Sequence, residues 1–266
     1  MGPIALYRRL VGVSIRSQLQ YRLSFVMQTI GHLLLTGGEF LALWALFARF
    51  GSMDGWELGE VCVFYGITNV AFALASAATT GFDHVGELIR LGEFDRILLR
   101  PRSTVLMLLG HEFTMRRAGR LVQGIAVLAY GLAASGAMPA IATAALVLWT
   151  VVGSVSLFLG LRVLQACVAF RTVESIEIMN VFTYGGVTTA SYPFAIFVDW
   201  FRKLFTFVVP LAAVSYYPGL AMMRVPDPLG APPWVGWLSP LAGVAFLALA
   251  LALWRYALRW YASTGS

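Results

Sequence analysis

The chain has 266 residues, 59% of them hydrophobic and 12% charged, with a mean hydropathy of +0.77 and a formal net charge of +6. Such a composition excludes an ordinary soluble domain, which must cover its core with polar surface, and no alternating strand pattern points to a transmembrane barrel. The basic residues are arginines apart from Lys203 and sit beside apolar runs, a pattern of membrane orientation rather than nucleic-acid binding.

Residues 3–22 precede any span and are amphipathic. Ile4, Tyr7, Val11, Ile15 and Leu19 share one helical face, with Arg9, Arg16 and Gln20 opposite. This suits a helix lying in the membrane interface. The same stretch is too interrupted by arginine for a cleavable signal.

Apolar runs long enough to cross about 30 Å of hydrocarbon follow at roughly 23–47, 57–80, 118–136, 140–169, 176–198 and 237–256. The expectation is an all-α polytopic membrane protein with six transmembrane helices. Between the last two runs, 199–236 is apolar but broken by prolines, which predicts re-entrant or interfacial helices rather than a seventh span. Six spans with a cytosolic N-terminus put 15 of the 19 basic residues on the inside, so both termini are expected there.

Charge concentrates at 81–104, in and around LGEFDRILLRPRS (91–103). In this orientation the stretch is cytosolic. Ile89, Phe94, Ile97 and Leu98 form an apolar edge, with Glu93, Arg96 and Arg100 displayed elsewhere. It is either a solvated loop or a docking element for a partner.

Polar residues inside the runs are the candidate pathway or interface residues, since ionisable groups in a span usually face a partner or a cavity. Glu39 follows two glycines and shares a face with His32. It lines a pathway or is wetted near the outside. Asn69 sits among Ala71, Ala75 and Thr79, small residues suited to close helix packing. Asn180, Tyr184 and Thr188 belong to a mixed polar and small face with Glu174 and Glu177, and Arg162 is expected to pair with one of those two acids.

Several chemistries are missing. There is no phosphate-binding G-x-x-x-x-G-K-[ST] loop, so no ATP site is expected in this chain. His32, His84 and His111 are too dispersed to predict a metal site, and HEFTM (111–115) lacks the second histidine of a zinc helix. Cys62 and Cys167 both fall in spans and read as small apolar filler.

LGEFDRILLRPRS, then SYPFAIFVDWFRKLFTFVVPLAAVSYYPGLAM (191–222), then RWYASTGS (259–266) resemble the ABC-2-type permeases over the whole chain. The resemblance implies a membrane subunit of an ATP-driven exporter in a bacterial plasma membrane, and the shortage of charge within the spans favours an amphiphilic or hydrophobic substrate. Cytosolic ABC ATPase subunits would carry ATP and Mg, and a second permease would complete a homodimer or heterodimer. Glu87, Arg90, Glu93, Phe94, Asp95, Arg96 and Arg100 fall where a coupling helix would contact the ATPase, and 199–236 where an external cap would lie. A non-transporting scaffold subunit or a membrane-embedded enzyme are the alternatives, though no catalytic constellation supports the enzyme.

Overall fold

The structure is a computed structural model that describes residues 3–111, 113–114, 117–170 and 179–261. Among these residues it is helical throughout, apart from turns and one isolated bridge between Met53 and Trp56.

Helix α1 (Pro3–Gln20) leads through a turn at Tyr21 into α2 (Arg22–Phe50). The tight loop 51–57 returns the chain to α3 (Leu58–Asp83), whose start is fixed by a reciprocal cap. The Glu57 side chain accepts from the third backbone N–H of the helix, while the Glu57 N–H donates to Glu60 Oε2 at 2.9 Å. Three short helices follow, α4 (Val85–Arg90), α5 (Phe94–Leu98) and α6 (Thr104–His111). The chain then returns through α7 (Ala118–Ala134) and α8 (Ala140–Ala169).

Beyond the undescribed 171–178, a π-helical turn at Val181–Gly185 runs into α9 (Gly186–Ala190). Next come α10 (Asp199–Lys203), which continues as a π-turn to Val208, and α11 (Leu211–Val214) with α12 (Tyr216–Met223). Last are α13 (Val235–Leu238) and α14 (Pro240–Ala257).

Among the described residues, four helices are long and apolar enough to cross a bilayer: Arg22–Phe50, Leu58–Arg90, Ala140–Ala169 and Val235–Ala257. The chain is therefore an all-α polytopic membrane protein. Helix α7 is apolar but only 17 residues long, short of the roughly 20 that a straight crossing needs.

The run expected at 176–198 differs more. Its described part ends at Ala190, because Pro193 stands in extended backbone and cannot continue the helix. The segments Asp199–Val208 and Leu211–Met223 meet at a 67° bend beside Pro210. Taken together the two segments also pass the test of length and apolarity, as a broken span or a re-entrant loop, so the described residues hold four spans or, with this pair, five.

Helix α3 is the axis of the bundle. Within its apolar window 83% of residues are buried, against 17% for α2, which leaves most of its apolar surface open on the periphery. Glycines permit the close approach around α3. A Cβ on Gly66 would lie 2.5 Å from the Leu128 Cβ of α7, and one on Gly131 would lie 2.7 Å from the Val63 nitrogen of α3. On the other side, Gly153 of α8 would meet the Pro240 carbonyl of α14 at 2.6 Å. Lipid supplies no hydrophobic drive between helices, so this close van der Waals contact is what holds them together.

Two core clusters divide the bundle. The larger surrounds Phe64, Phe72, Leu157, Phe194 and Tyr216, and the smaller surrounds Phe82, Phe94, Leu108, Val163 and Trp254. Helix α1 rests on α6 and the segment after it: Leu10 packs against Gly110, and Gln18 hydrogen-bonds the Phe113 carbonyl. Leu19, expected on its apolar face, is exposed.

Gly66→Ala should destabilise the protein by about 1–3 kcal/mol through overpacking. Gly86→Ala, with nothing within 4 Å of the new Cβ, should be neutral or stabilising by up to about 1 kcal/mol. Thermal unfolding of the purified variants in one detergent compares the two.

Candidate functional site

The sequence places Glu39 in α2, Asn69 in α3, and Tyr184 and Thr188 in the 181–190 segment. The fold brings all four onto one cavity of about 400 Å³, together with Tyr65, Arg120 and Tyr192. Asn180 is not among the lining residues; its carbonyl accepts from the Thr183 hydroxyl at 3.3 Å.

Charge in this cavity is balanced by an arginine at the start of the run expected at 118–136, one that the sequence reading did not single out. Arg120 Nη2 lies 3.3 Å from Glu39 Oε2. The arginine belongs to the first turn of α7, which carries it against α2. One turn further on, Gln123 Nε2 donates to the Thr36 carbonyl at 2.7 Å and reaches Tyr65 Oη at 3.4 Å, and the Thr36 hydroxyl donates to Gln123 Oε1. Asn69 is 2% exposed and donates Nδ2 to its own helix at the Tyr65 carbonyl, 2.9 Å away.

Arg117, three residues before Arg120, extends the network along the same face of α7. Its Nη2 donates to Tyr184 Oη at 2.8 Å, its Nη1 to the Ser76 hydroxyl. Arg117 and Arg120 both stand over the buried Phe72 ring, at 5.1 and 5.3 Å from its centroid, where the ring's negative face favours cations.

Arg162 ion-pairs with Asp83 at the end of α3, Nη1 to Oδ1 at 2.7 Å. Glu174 and Glu177 lie outside the described residues. The Arg162 guanidinium also sits 5.5 Å from the Tyr184 ring. Contacts thus run unbroken from Glu39 through Arg120, Phe72, Arg117, Tyr184 and Arg162 to Asp83.

Asp83 is followed directly by the charged segment, which the smaller core cluster holds in place. Phe94 is fully buried against Phe170, Trp254 and Tyr261, with ring centroids 5.1 to 6.5 Å away, and Asp95 accepts from Tyr261 Oη at 2.7 Å. The apolar edge read at Ile89, Phe94 and Ile97 faces this core and is not a free surface. What the segment presents outward is Glu87, Arg90, Glu93, Arg96 and Arg100, with Leu91, Leu98 and Leu99 exposed among them. Phe94 and Asp95 therefore hold the segment from within.

Residues 33–265 match the ABC-2 family transporter proteins. The chain belongs to this family. No curated protein and no solved structure matches it. The protein is accordingly a permease-type membrane component of an ABC transporter, a class that associates with an ATPase subunit and is not itself catalytic. Among the described residues of the permease, no group of three or more His, Cys, Asp or Glu side chains is placed to hold a metal ion.

Breaking the buried pair by Asp83→Arg or Arg162→Asp alone should destabilise the permease by about 3–5 kcal/mol, since each leaves an uncompensated charge. The double reversal should recover a substantial part of that loss, as a double-mutant cycle of melting temperatures will measure. Phe94→Ala should cost about 3–5 kcal/mol through the cavity it leaves, read in the same assay.

Proposed function

We propose that this permease forms part of the pathway of an exporter, powered by ATP that a separate cytosolic subunit binds with Mg and hydrolyses. In this reading the chain crosses a bacterial plasma membrane six times with both termini in the cytosol. Helix α1 lies in the inner interface. The segment 87–100 docks on the ATPase, and 199–236 caps the outer end. A second permease, the same or related, completes the pathway against the apolar surface of α2.

One observation carries the reading. Glu87 and Arg90 of the charged segment stand at the end of the rod Leu58–Arg90, and the same rod contributes Tyr65 and Asn69 to the Glu39–Arg120 cavity. A load applied at that end therefore reaches the cavity wall along the rod and through the Asp83–Arg162–Tyr184 contacts. Helices packed this closely shift as rigid bodies between discrete arrangements rather than deforming gradually. The mixed lining, with three tyrosines beside one ion pair, suits an amphiphilic substrate that buries an apolar body and keeps a polar group on the wall.

The test is co-purification of the permease with an ABC ATPase subunit from the same source, followed by reconstitution. Changing Glu93 and Arg96 together to alanine should weaken ATPase association about tenfold or more, a loss of roughly 1.4 kcal/mol from interfacial charge pairs. It should also lower transport in proportion. Full association and transport in that double variant would remove the docking assignment. Transport by the permease with no nucleotide-hydrolysing partner would remove the ABC mechanism itself.

A further inference from the structure

A second cavity, of about 310 Å³, lies against the larger core cluster, well away from the charged segment. It is bounded by α12, α13 and the proline-rich loop 224–234. Met138, Tyr217, Leu220, Pro233 and Trp237 give it an apolar wall. Its volume is at the lower end of the range for small-molecule sites, and an apolar lining with few polar groups is their usual character.

The cavity is preformed. The Met138 N–H donates to the Met222 carbonyl at 2.9 Å, which ties the 135–139 turn to α12. Gly236 lets α13 approach so closely that an added Cβ would stand 2.6 Å from the Tyr217 carbonyl.

Two charged residues line it, and they are not equivalent. Asp227 is fully committed to the loop: Oδ1 accepts from Tyr216 Oη at 2.8 Å and the Leu229 N–H at 3.1 Å, and Oδ2 from the Ala231 N–H at 3.1 Å. Arg224 is exposed, and none of the ion pairs among the described residues involves it.

Arg224 also terminates α12 in left-handed backbone, at φ 58° and ψ 28°. Glycine is the usual residue there, because an L-side chain is strained in that backbone. Strain of this kind often accompanies a functional position. Its result here is a guanidinium on the wall of an apolar cavity whose one lining acid, Asp227, already accepts hydrogen bonds from three neutral donors of the loop.

We propose that this cavity binds an anionic amphiphile. A single apolar chain fills the space between Tyr217, Leu220 and Trp237, and a carboxylate or phosphate head meets the Arg224 guanidinium. The sign of the head group follows from the donors on the wall, since no ion pair among the described residues uses the Arg224 guanidinium while the Asp227 oxygens accept from the loop. The assignment is independent of the transport direction and of the docking role of 87–100.

A photoactivatable lauric acid provides the probe, used on the full-length permease with its ATPase in nanodiscs. In neutral phosphatidylcholine, cross-linking should be saturable and should map to residues 217–237. Dodecyl phosphate should compete, and dodecyltrimethylammonium should compete at least tenfold less well. Nanodiscs of anionic phosphatidylglycerol distinguish the sources: lower labelling there assigns the site to a lipid of the bilayer, and equal labelling assigns it to a free amphiphile.

Arg224→Gly removes the charge and relieves the left-handed backbone together, so it should raise the melting temperature while lowering labelling at least tenfold. Arg224→Lys should keep most of it. Filling the space with Ala221→Trp should abolish labelling. Equal labelling of the parent and Arg224→Gly would overturn the proposal, as would equal competition by the cationic probe or cross-links that map elsewhere.

Discussion

Everything in the bundle depends on how closely other helices can approach α3. In hydrocarbon there is little to gain from moving leucines from lipid onto protein, so cohesion comes from backbone-to-backbone proximity at small residues. Gly66 and Gly131 set the α3–α7 distance. Once α7 is that close, Arg117 and Arg120 at its first turn lie against Phe72 of α3 and face Glu39 of α2 and Tyr184. A larger side chain at either glycine would separate the polar network as well as the helices.

The network resolves the cost of charge in a span by pairing. Glu39 meets Arg120, Asp83 meets Arg162, and the arginines also lie over aromatic rings. Each contact is modest by itself. In a low-dielectric setting the alternative for each charge is an unmatched group, which is far more costly. The network is therefore a constraint on geometry at least as much as a source of stability, and it links the cavity to the base of the charged segment.

That segment also explains why the smaller core cluster exists. A surface rich in arginine and acid at the end of a long helix would sample many orientations if it were tethered only by its backbone. Phe94, inserted among Phe170, Trp254 and Tyr261, gives it one orientation, and the Asp95–Tyr261 hydrogen bond fixes its far side. The apolar residues of LGEFDRILLRPRS are thus divided, Phe94 and Ile97 inward and Leu91, Leu98 and Leu99 outward. Periodicity within so short a helix cannot reveal that division, because the turn at Gly92, with φ at 69°, resets the helical phase between α4 and α5.

The amino-acid sequence by itself determined the class of the molecule. Long apolar runs have only one way to satisfy their backbone in a membrane, and prolines can only break what they interrupt. It also marked Glu39, Asn69, Tyr184 and Thr188 as polar residues in costly places, and a cavity does gather those four. It could not identify Arg120 as the partner of Glu39 or Asp83 as the partner of Arg162. Those pairs join residues 81 and 79 positions apart, and the distance between them is set by glycine contacts that no local pattern records. Nothing local in the sequence set Arg117 and Arg120 apart from the other arginines at the ends of runs. Only the docking of α7 on α3 made Arg120 part of the cavity wall and set Arg117 against Tyr184 and Phe72, since a side chain at a helix end points wherever the packing of that helix directs it.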